Sequence, residues 1–384
     1  MPVINRFAEM LPEISAWRRD IHAHPELRFE EHRTAAFIAS KLKEFGCDEV
    51  ITGFGGTGVV GVINGKKGSA GKTIGFRADM DALPIQEATG LPHASTIPGK
   101  MHACGHDGHT AMLLGAGKYL AETRNFAGRV VLAFQPAEEG GGGARAMIDA
   151  GLMDRWAVEE IYGMHNMPGI SAGEFAVRTG PQMASPDKFE ITVRGTGGHG
   201  AMPHKGVDTT LVAAQIVVAL QSIVSRNIDP MDKVVVSVCG FRTETATYNV
   251  IPDSALLLGT VRTFGPEVQR QVRARIDALA TATALGYGAV AEVRHLSGPP
   301  PLVNHAQEAD LAAEAALAVS GVAHRDLDPI MAGEDFSEML LERPGAYLFI
   351  GNGESADLHN PSYEFNDEVI PAGCTWYVTM AERR

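Results

Sequence analysis

The segment His102-Ala103-Cys104-Gly105-His106-Asp107-Gly108-His109 places three histidines, a cysteine and an aspartate within eight residues. A thiolate and an imidazole two positions apart can face the same side of an extended turn. Soft sulfur with borderline nitrogen suits Zn(II), Ni(II), Co(II) or Mn(II) better than Mg(II) or Ca(II). A buried cysteine beside a capped helix start would account for Cys104 and His106 if they stood alone. They do not: Glu138 and Glu139, His165 and His359 each follow an apolar run elsewhere in the chain.

Those runs are the elements that must position the ligands. Val130-Val131-Leu132-Ala133-Phe134 is unbroken and apolar, as expected of a buried parallel strand, and it delivers Glu138-Glu139 at its end. A strand over about 159–164 delivers His165, and one over 346–350 precedes the loop with His359. In open α/β sheets, ligands bind at the carboxyl ends of strands, where loops and helix N-termini converge. Earlier β-rich runs cover 49–52, 57–63 and 73–78, and the third runs into Arg77-Ala78-Asp79-Met80-Asp81. Residues 1–46 read as two helices, the second carrying Ala35, Ile38, Ala39, Leu42 and Phe45 at helical spacing. His22-Ala23-His24-Pro25 lacks a third nearby ligand and reads as a packed turn. A further helix spans about 108–124.

The middle of the chain alternates differently. Strands at 188–194, 233–241, 255–264 and 289–296, with helices at 207–226 and 266–285, give the order β-α-β-β-α-β of a ferredoxin-like fold. The expected organisation is a catalytic domain of residues 1–182 and 298–384, interrupted by an inserted domain of residues 183–297. The inserted domain's first helix is apolar on nearly every side, with Leu211, Val212, Ile216, Val217, Val218, Leu220, Ile223 and Val224. That exceeds what one sheet face covers, so a partner subunit is the expected second surface.

Composition narrows the function classes. At 384 residues, two domains are the natural expectation, and 45% hydrophobic residues suffice to fill them. A net charge of -13 disfavours nucleic acid and anionic membrane as partners. Charges and a proline in residues 1–20 interrupt any signal-peptide core, and no apolar run reaches about 18 residues, so a cytoplasmic location is expected. Cys47, Cys104, Cys239 and Cys374 lie far apart, which argues for reduced thiols rather than a disulfide framework. Two G-x-G-x-x-G matches, Gly53 to Gly58 and Gly195 to Gly200, lack the helix and the acid that a dinucleotide site requires.

Taken together, the His102–His109 segment, Gln135-Pro136-Ala137-Glu138-Glu139-Gly140, Gly163-Met164-His165-Asn166, Gly197-Gly198-His199-Gly200-Ala201 and Leu358-His359-Asn360-Pro361 resemble the co-catalytic metallopeptidases and amidohydrolases typified by hippurate hydrolase, N-acyl-amino-acid amidohydrolases and plant auxin-conjugate amidohydrolases. The resemblance implies an α/β/α catalytic domain of the zinc-peptidase type with an inserted ferredoxin-like α+β lid and dimerisation domain. It implies two divalent transition-metal ions (Mn, Zn, Ni or Co) on Cys104, His106, Glu139, His165 and His359, with Glu138 as general base. The implied substrate is an N-acyl-amino acid, cleaved to a carboxylic acid and a free amino acid by a homodimer.

An amide carbonyl is a poor electrophile with a poor leaving group. Two metals and a non-ligating carboxylate answer both difficulties. Relatives also use a histidine like His199 on the partner's oxyanion, and residues like Asn249 and Arg262 on the substrate carboxylate. Many relatives carry His-x-Asp where this chain has Arg77-Ala78-Asp79. That histidine ligand is absent here, and Asp79, with Asp107, is expected to orient ligands. Gly333-Glu334-Asp335-Phe336-Ser337 reads equally as a helix cap or part of a pocket. Two other classes compete: an amidase using Cys104 as nucleophile, and a non-catalytic protein that binds metal or a small molecule.

Overall fold

The computed structural model describes residues 4–68 and 70–384; the first three residues of the stretch read as helical lie outside them. The chain forms two units, one of Met1–Gly180, Val303–Asp328 and Asp335–Arg384, the other of Pro181–Leu302 and Pro329–Glu334. Residues 329–334 thus fold with the second unit, whose strand start they join through Ala184, which donates its N–H to the carbonyls of Ile330 and Ala332.

In chain order the principal elements are helices α1 (Asn5–Ala23) and α2 (His32–Glu44), then strands β1 (Glu49–Phe54), β2 (Gly58–Asn64) and β3 (Thr73–Asp79). Helix α3 (His106–Thr123) precedes β4 (Arg129–Gln135), β5 (Glu160–Pro168) and β6 (Phe175–Ala176). The second unit contributes β7 (Ser185–Arg194), α4 (Thr209–Leu220), β8 (Val235–Thr243), β9 (Ser254–Thr263), α5 (Pro266–Gly286) and β10 (Val290–Leu296). The first unit resumes with α6 (Ala306–Ser320), β11 (Ala323–His324), β12 (Gly345–Gly353) and α7 (Ile370–Arg383).

The first unit holds an eight-stranded sheet in the order β1-β2-β4-β3-β5-β12-β6-β11. Its centre, β4-β3-β5-β12, is parallel. Consecutive residues of β3 from Ile74 to Asp79 are all buried, as are Val130 to Gln135 of β4, so both sheet faces are covered. Burial without alternation is the mark of a strand between two helical layers. Helix α1 buries Phe7, Met10, Ile14, Trp17 and Ile21 at three- and four-residue spacing, and α3 and α7 are buried along most of their lengths. Trp376 meets Phe76, Tyr162 and Tyr377 edge-on, Tyr377 meets Phe76 edge-on, and Phe76 and Tyr162 are tilted against each other.

The second unit holds a four-stranded antiparallel sheet in the order β8-β9-β7-β10. With α4 and α5 as its crossovers, this is the ferredoxin-like arrangement. Strand β7 alternates as expected, burying Phe189, Ile191 and Val193. Helix α4 is capped by Asp208, which accepts the N–H groups of Thr210 and Leu211. It stops at Leu220, short of the expected 226, and a π-turn over Ile223–Asn227 follows. Ser222 and Ser225 hydroxyls donate back to the carbonyls of Ala219 and Gln221, competing with the regular ladder there. Among the described residues, no helix is long and apolar enough to cross a membrane.

One polar fastening ties α1 to the start of α3. Fully buried Arg18 pairs with Asp107, Glu364 and Asp367, and buried His22 donates from Nδ1 to Asp107 at 2.8 Å. Burial alone would lower the His22 pKa, but the charge and hydrogen bond of Asp107 outweigh it and raise the group to about 9. A pKa raised above the ordinary 6.5 stabilises the fold fully below about pH 6.5, and that contribution is lost as pH rises through about 9. Replacing His22 with Gln should therefore remove part of the alkaline stability loss, on the order of 3 kcal/mol. Thermal melts of both proteins from pH 6 to pH 10 check this; equal slopes would refute the assigned ion pair.

Candidate metal centre

The site forms at the carboxyl ends of the parallel strands of the first unit. Cys104 lies in the turn entering α3, buried, with its Sγ 3.4 Å from His165 Nε2. His165 is carried inside β5 rather than after it, because pairing with β12 continues past it to Pro168. Gly105 makes the turn possible: its φ is 84°, and a Cβ there would meet Asn166 Oδ1 at 2.3 Å. Only glycine fits that approach.

The expected ligands converge. Donor atoms of Cys104, His106 and His165 lie within 4.8 Å of one another, as do those of Cys104, Glu139 and His359, and those of His106, Glu138 and Glu139. Glu139 Oε1 is 3.2 Å from His359 Nε2. His359 adopts a left-handed φ of 62°, held there by its N–H donating to the Ala103 carbonyl at 2.7 Å. Ala137, at φ 53°, turns the chain just before the glutamates, with its N–H on the buried Glu31 carboxylate at 2.9 Å. His22, expected in a packed turn, instead lies in the last turn of helix α1, and His24 follows at its C-cap; no ligand cluster among the described residues includes either.

These residues fit a divalent transition metal. The buried Nε2 of His106 has no hydrogen-bond partner among the described residues. An ion with ligand bonds of about 2.0–2.3 Å sets neighbouring ligand atoms roughly 3.5 Å apart, close to the Cys104–His165 spacing. Electrostatics agree. Burial favours neutral His106, yet the Asp79 charge and the Asp81 carboxylate push it well above the ordinary imidazole range. The Cys104 sulfur and then the Glu139 carboxylate push His359 up to about 10. A site that draws protons onto two imidazoles in this way is one that attracts a cation. Burial, reinforced by His109, holds His165 well below the ordinary range, in the neutral form a ligand needs. Burial and then Glu139 raise the Cys104 thiol.

Around the ligands lies a buried polar frame. Asp79 accepts from His109 Nδ1 at 2.6 Å and from Arg77 at 2.7 Å, while the Asn166 N–H donates to His109 Nε2. His109 Nε2 also lies 2.7 Å from the side-chain Oδ1 of Asn166, so one residue meets it through both backbone and side chain. Arg77 also donates to Gln135 and Asp335. Asp335 does not cap the helix that follows it; its carboxylate accepts Arg77, Gln135 and the Ala144 N–H. Asp107 turns to Arg18 and His22 and makes no hydrogen bond to a ligand residue among the described contacts. Asp81 is the residue that sequence reasoning missed. The one available signal was its i+2 spacing from Asp79 at a strand end.

In the second unit, exposed His199 accepts the Ala201 N–H at Nδ1, at 3.0 Å, which leaves Nε2 as the protonated, outward nitrogen. Asn249 lies on the same short ribbon, its carbonyl accepting the Gly200 N–H at 2.7 Å. Arg262 donates to the carbonyls of Met331 and Val261 and to Thr260.

Comparison with known proteins follows the same lines. The chain is 42% identical to hippurate hydrolase of Campylobacter jejuni over 99% of both chains. It is 43% identical to N-acetyl-L-cysteine deacetylase of Bacillus subtilis, over 95% of this chain and 86% of that protein. A solved dinuclear metal binding peptidase of the M20 family from Bacillus subtilis superposes with a TM-score of 0.86 at 35% identity, covering 98% of each chain. Residues 75–383 match peptidase family M20/M25/M40. The chain belongs to that family, and its reaction class is metal-dependent hydrolysis of an amide bond.

Proposed function

We propose that this protein hydrolyses N-acyl-amino acids, hippurate-like conjugates included, to a carboxylic acid and a free amino acid. The observation that carries the reading is the convergence of one sulfur, three imidazoles and two adjacent glutamates at one strand-end crevice. Cys104, His106, Glu139, His165 and His359 are the residues assigned to two divalent ions, Mn, Zn, Ni or Co. When bound, such ions make water acidic enough to attack near neutral pH and draw electrons from a carbonyl oxygen.

The chain's own residues do the rest. Glu138 takes a proton from the attacking water as the C–O bond forms and returns it to the nitrogen as the C–N bond breaks. Adjacent Glu139 is left to ligation, so the two carboxylates divide their roles. Asp79 holds His109 and, through the Asn166 backbone that bonds His109, supports the segment carrying His165. We assign the substrate carboxylate to Asn249 and Arg262, and the developing oxyanion to His199 of a partner subunit, whose Nε2–H is a ready donor. Homodimerisation is supported by α4, which leaves Leu211 and Val218 at 47% and 67% exposure on its outer side. Free cysteines, with no disulfide among the described residues, support a cytoplasmic setting.

Three outcomes are expected. Glu138→Gln should keep its metal content while turnover falls on the order of a hundredfold to ten-thousandfold; a near-normal rate would remove Glu138 as base. Exhaustive chelation should abolish activity, and Mn(II), Zn(II), Co(II) or Ni(II) should restore it on benzoyl-, acetyl- or indoleacetyl-amino acids; survival of chelation would favour Cys104 as nucleophile instead. His199→Ala should cost about a hundredfold to a thousandfold, and mixing it with Glu138→Gln subunits should recover activity in heterodimers. No recovery, or a monomeric mass in solution, would refute the role of His199 across a dimer.

A further inference from the structure

The ligand residues are not equally enclosed. Cys104, His106 and His165 are 8%, 1% and 6% exposed, whereas the His359 side chain is 52% exposed. His359 belongs to residues 354–362, an irregular and mostly exposed stretch between β12 and the buried Tyr363. Its backbone joins the rest of the unit through His359, whose N–H donates to the Ala103 carbonyl at 2.7 Å, and through Pro361, whose carbonyl accepts the Ala88 N–H at 2.8 Å. The side chain that closes the stretch is Tyr363, fully buried, with its hydroxyl accepting an N–H of the Asn166 amide.

Asn166 follows His165, and its carbonyl accepts the His165 Nδ1–H at 2.6 Å. The Asn166–Tyr363 pair also packs on Gly105, the residue between Cys104 and His106, where a Cβ would meet Asn166 Oδ1 at 2.3 Å and the Tyr363 hydroxyl at 2.8 Å. One hydrogen bond therefore stands where three ligand-bearing segments meet: the Cys104–His106 turn, the part of β5 carrying His165, and the stretch carrying His359. An exposed stretch with few buried contacts opens locally at low free-energy cost. A buried hydrogen bond opposes that opening, because breaking it leaves the Asn166 amide unsatisfied. We propose that Tyr363 is a positioning residue that holds the His359 stretch closed on the site, and so sets how long an ion ligated by His359 stays bound. It touches neither substrate nor the reacting atoms, and acts through Asn166 and the chain leading to His359. The proposal rests on the assignment of His359 as a ligand given above.

Tyr363→Phe tests it, because the substitution removes the hydroxyl and keeps the ring. Loaded with Zn(II) or Co(II) and diluted into excess chelator, the variant should release one of its two ions about 10- to 100-fold faster than the wild-type protein, and the other at the wild-type rate. Turnover in the presence of chelator should decay at the same faster rate, and added metal should restore it. Release of both ions at wild-type rates would overturn the proposal. So would equal acceleration of both, since a residue that merely stabilises the fold behaves that way. Should Tyr363→Phe fail to fold, hydrogen exchange in the wild-type metal-loaded protein decides: peptides covering residues 354–363 should exchange faster than those of β5, and equal protection refutes a stretch that opens by itself. If His359→Ala holds both ions as tightly as wild type, the ligand assignment fails whatever Tyr363→Phe does; if His359→Ala loses an ion and Tyr363→Phe releases both at wild-type rates, only the role of Tyr363 fails.

Discussion

Two carboxylates buried at the end of one strand, Asp79 and Asp81, are the point on which the site depends. Removing a carboxylate from water costs several kcal/mol unless partners replace the lost solvation. Here every partner is part of the site: His109 and Arg77 on Asp79, the glutamate amides and His106 on Asp81. Buried charge is tolerable because the site is assembled, and the site is assembled because the charge must be satisfied.

Arg77 ties this strand end to its neighbours. Its guanidinium is fully buried, so it lends positive charge to Asp79 and cross-links β3 to Gln135 of β4 and to Asp335. Although burial favours the protonated acid, His106, Arg77 and His109 hold Asp79 well below the ordinary carboxylate range. An Asp79 saturated in this way serves as a fixed anion that orients His109. Beside it, the donor atoms of Cys104, His106 and His165 lie within 4.8 Å of one another, where neighbouring carboxylates and the Cys104 sulfur raise the pKa values of His106 and His359.

The second unit brings different physics. Its sheet is antiparallel and half-buried, and α4 leaves apolar side chains on its outer side. His199 sits on a short exposed ribbon whose backbone selects one imidazole tautomer.

Much of this was legible in the amino-acid sequence by itself. The unbroken run of β4, the alternation of β7 and the helical spacing in α2 are local signals, because side-chain periodicity reports burial without reference to distant residues. Cys104, His106, Glu138, Glu139, His165 and His359 were legible as a set because metal chemistry restricts residue type. Asp81, Asp335 and the destination of Asp107 were not. Their partners lie 57, 58 and 258 residues away for Asp81 and Asp335, and 85 or 89 for Asp107. An aspartate at a strand end has the same local signature whether it faces solvent, an amide or an arginine. Which one it meets is decided by the order of strands in the sheet, and only the tertiary structure supplies that order.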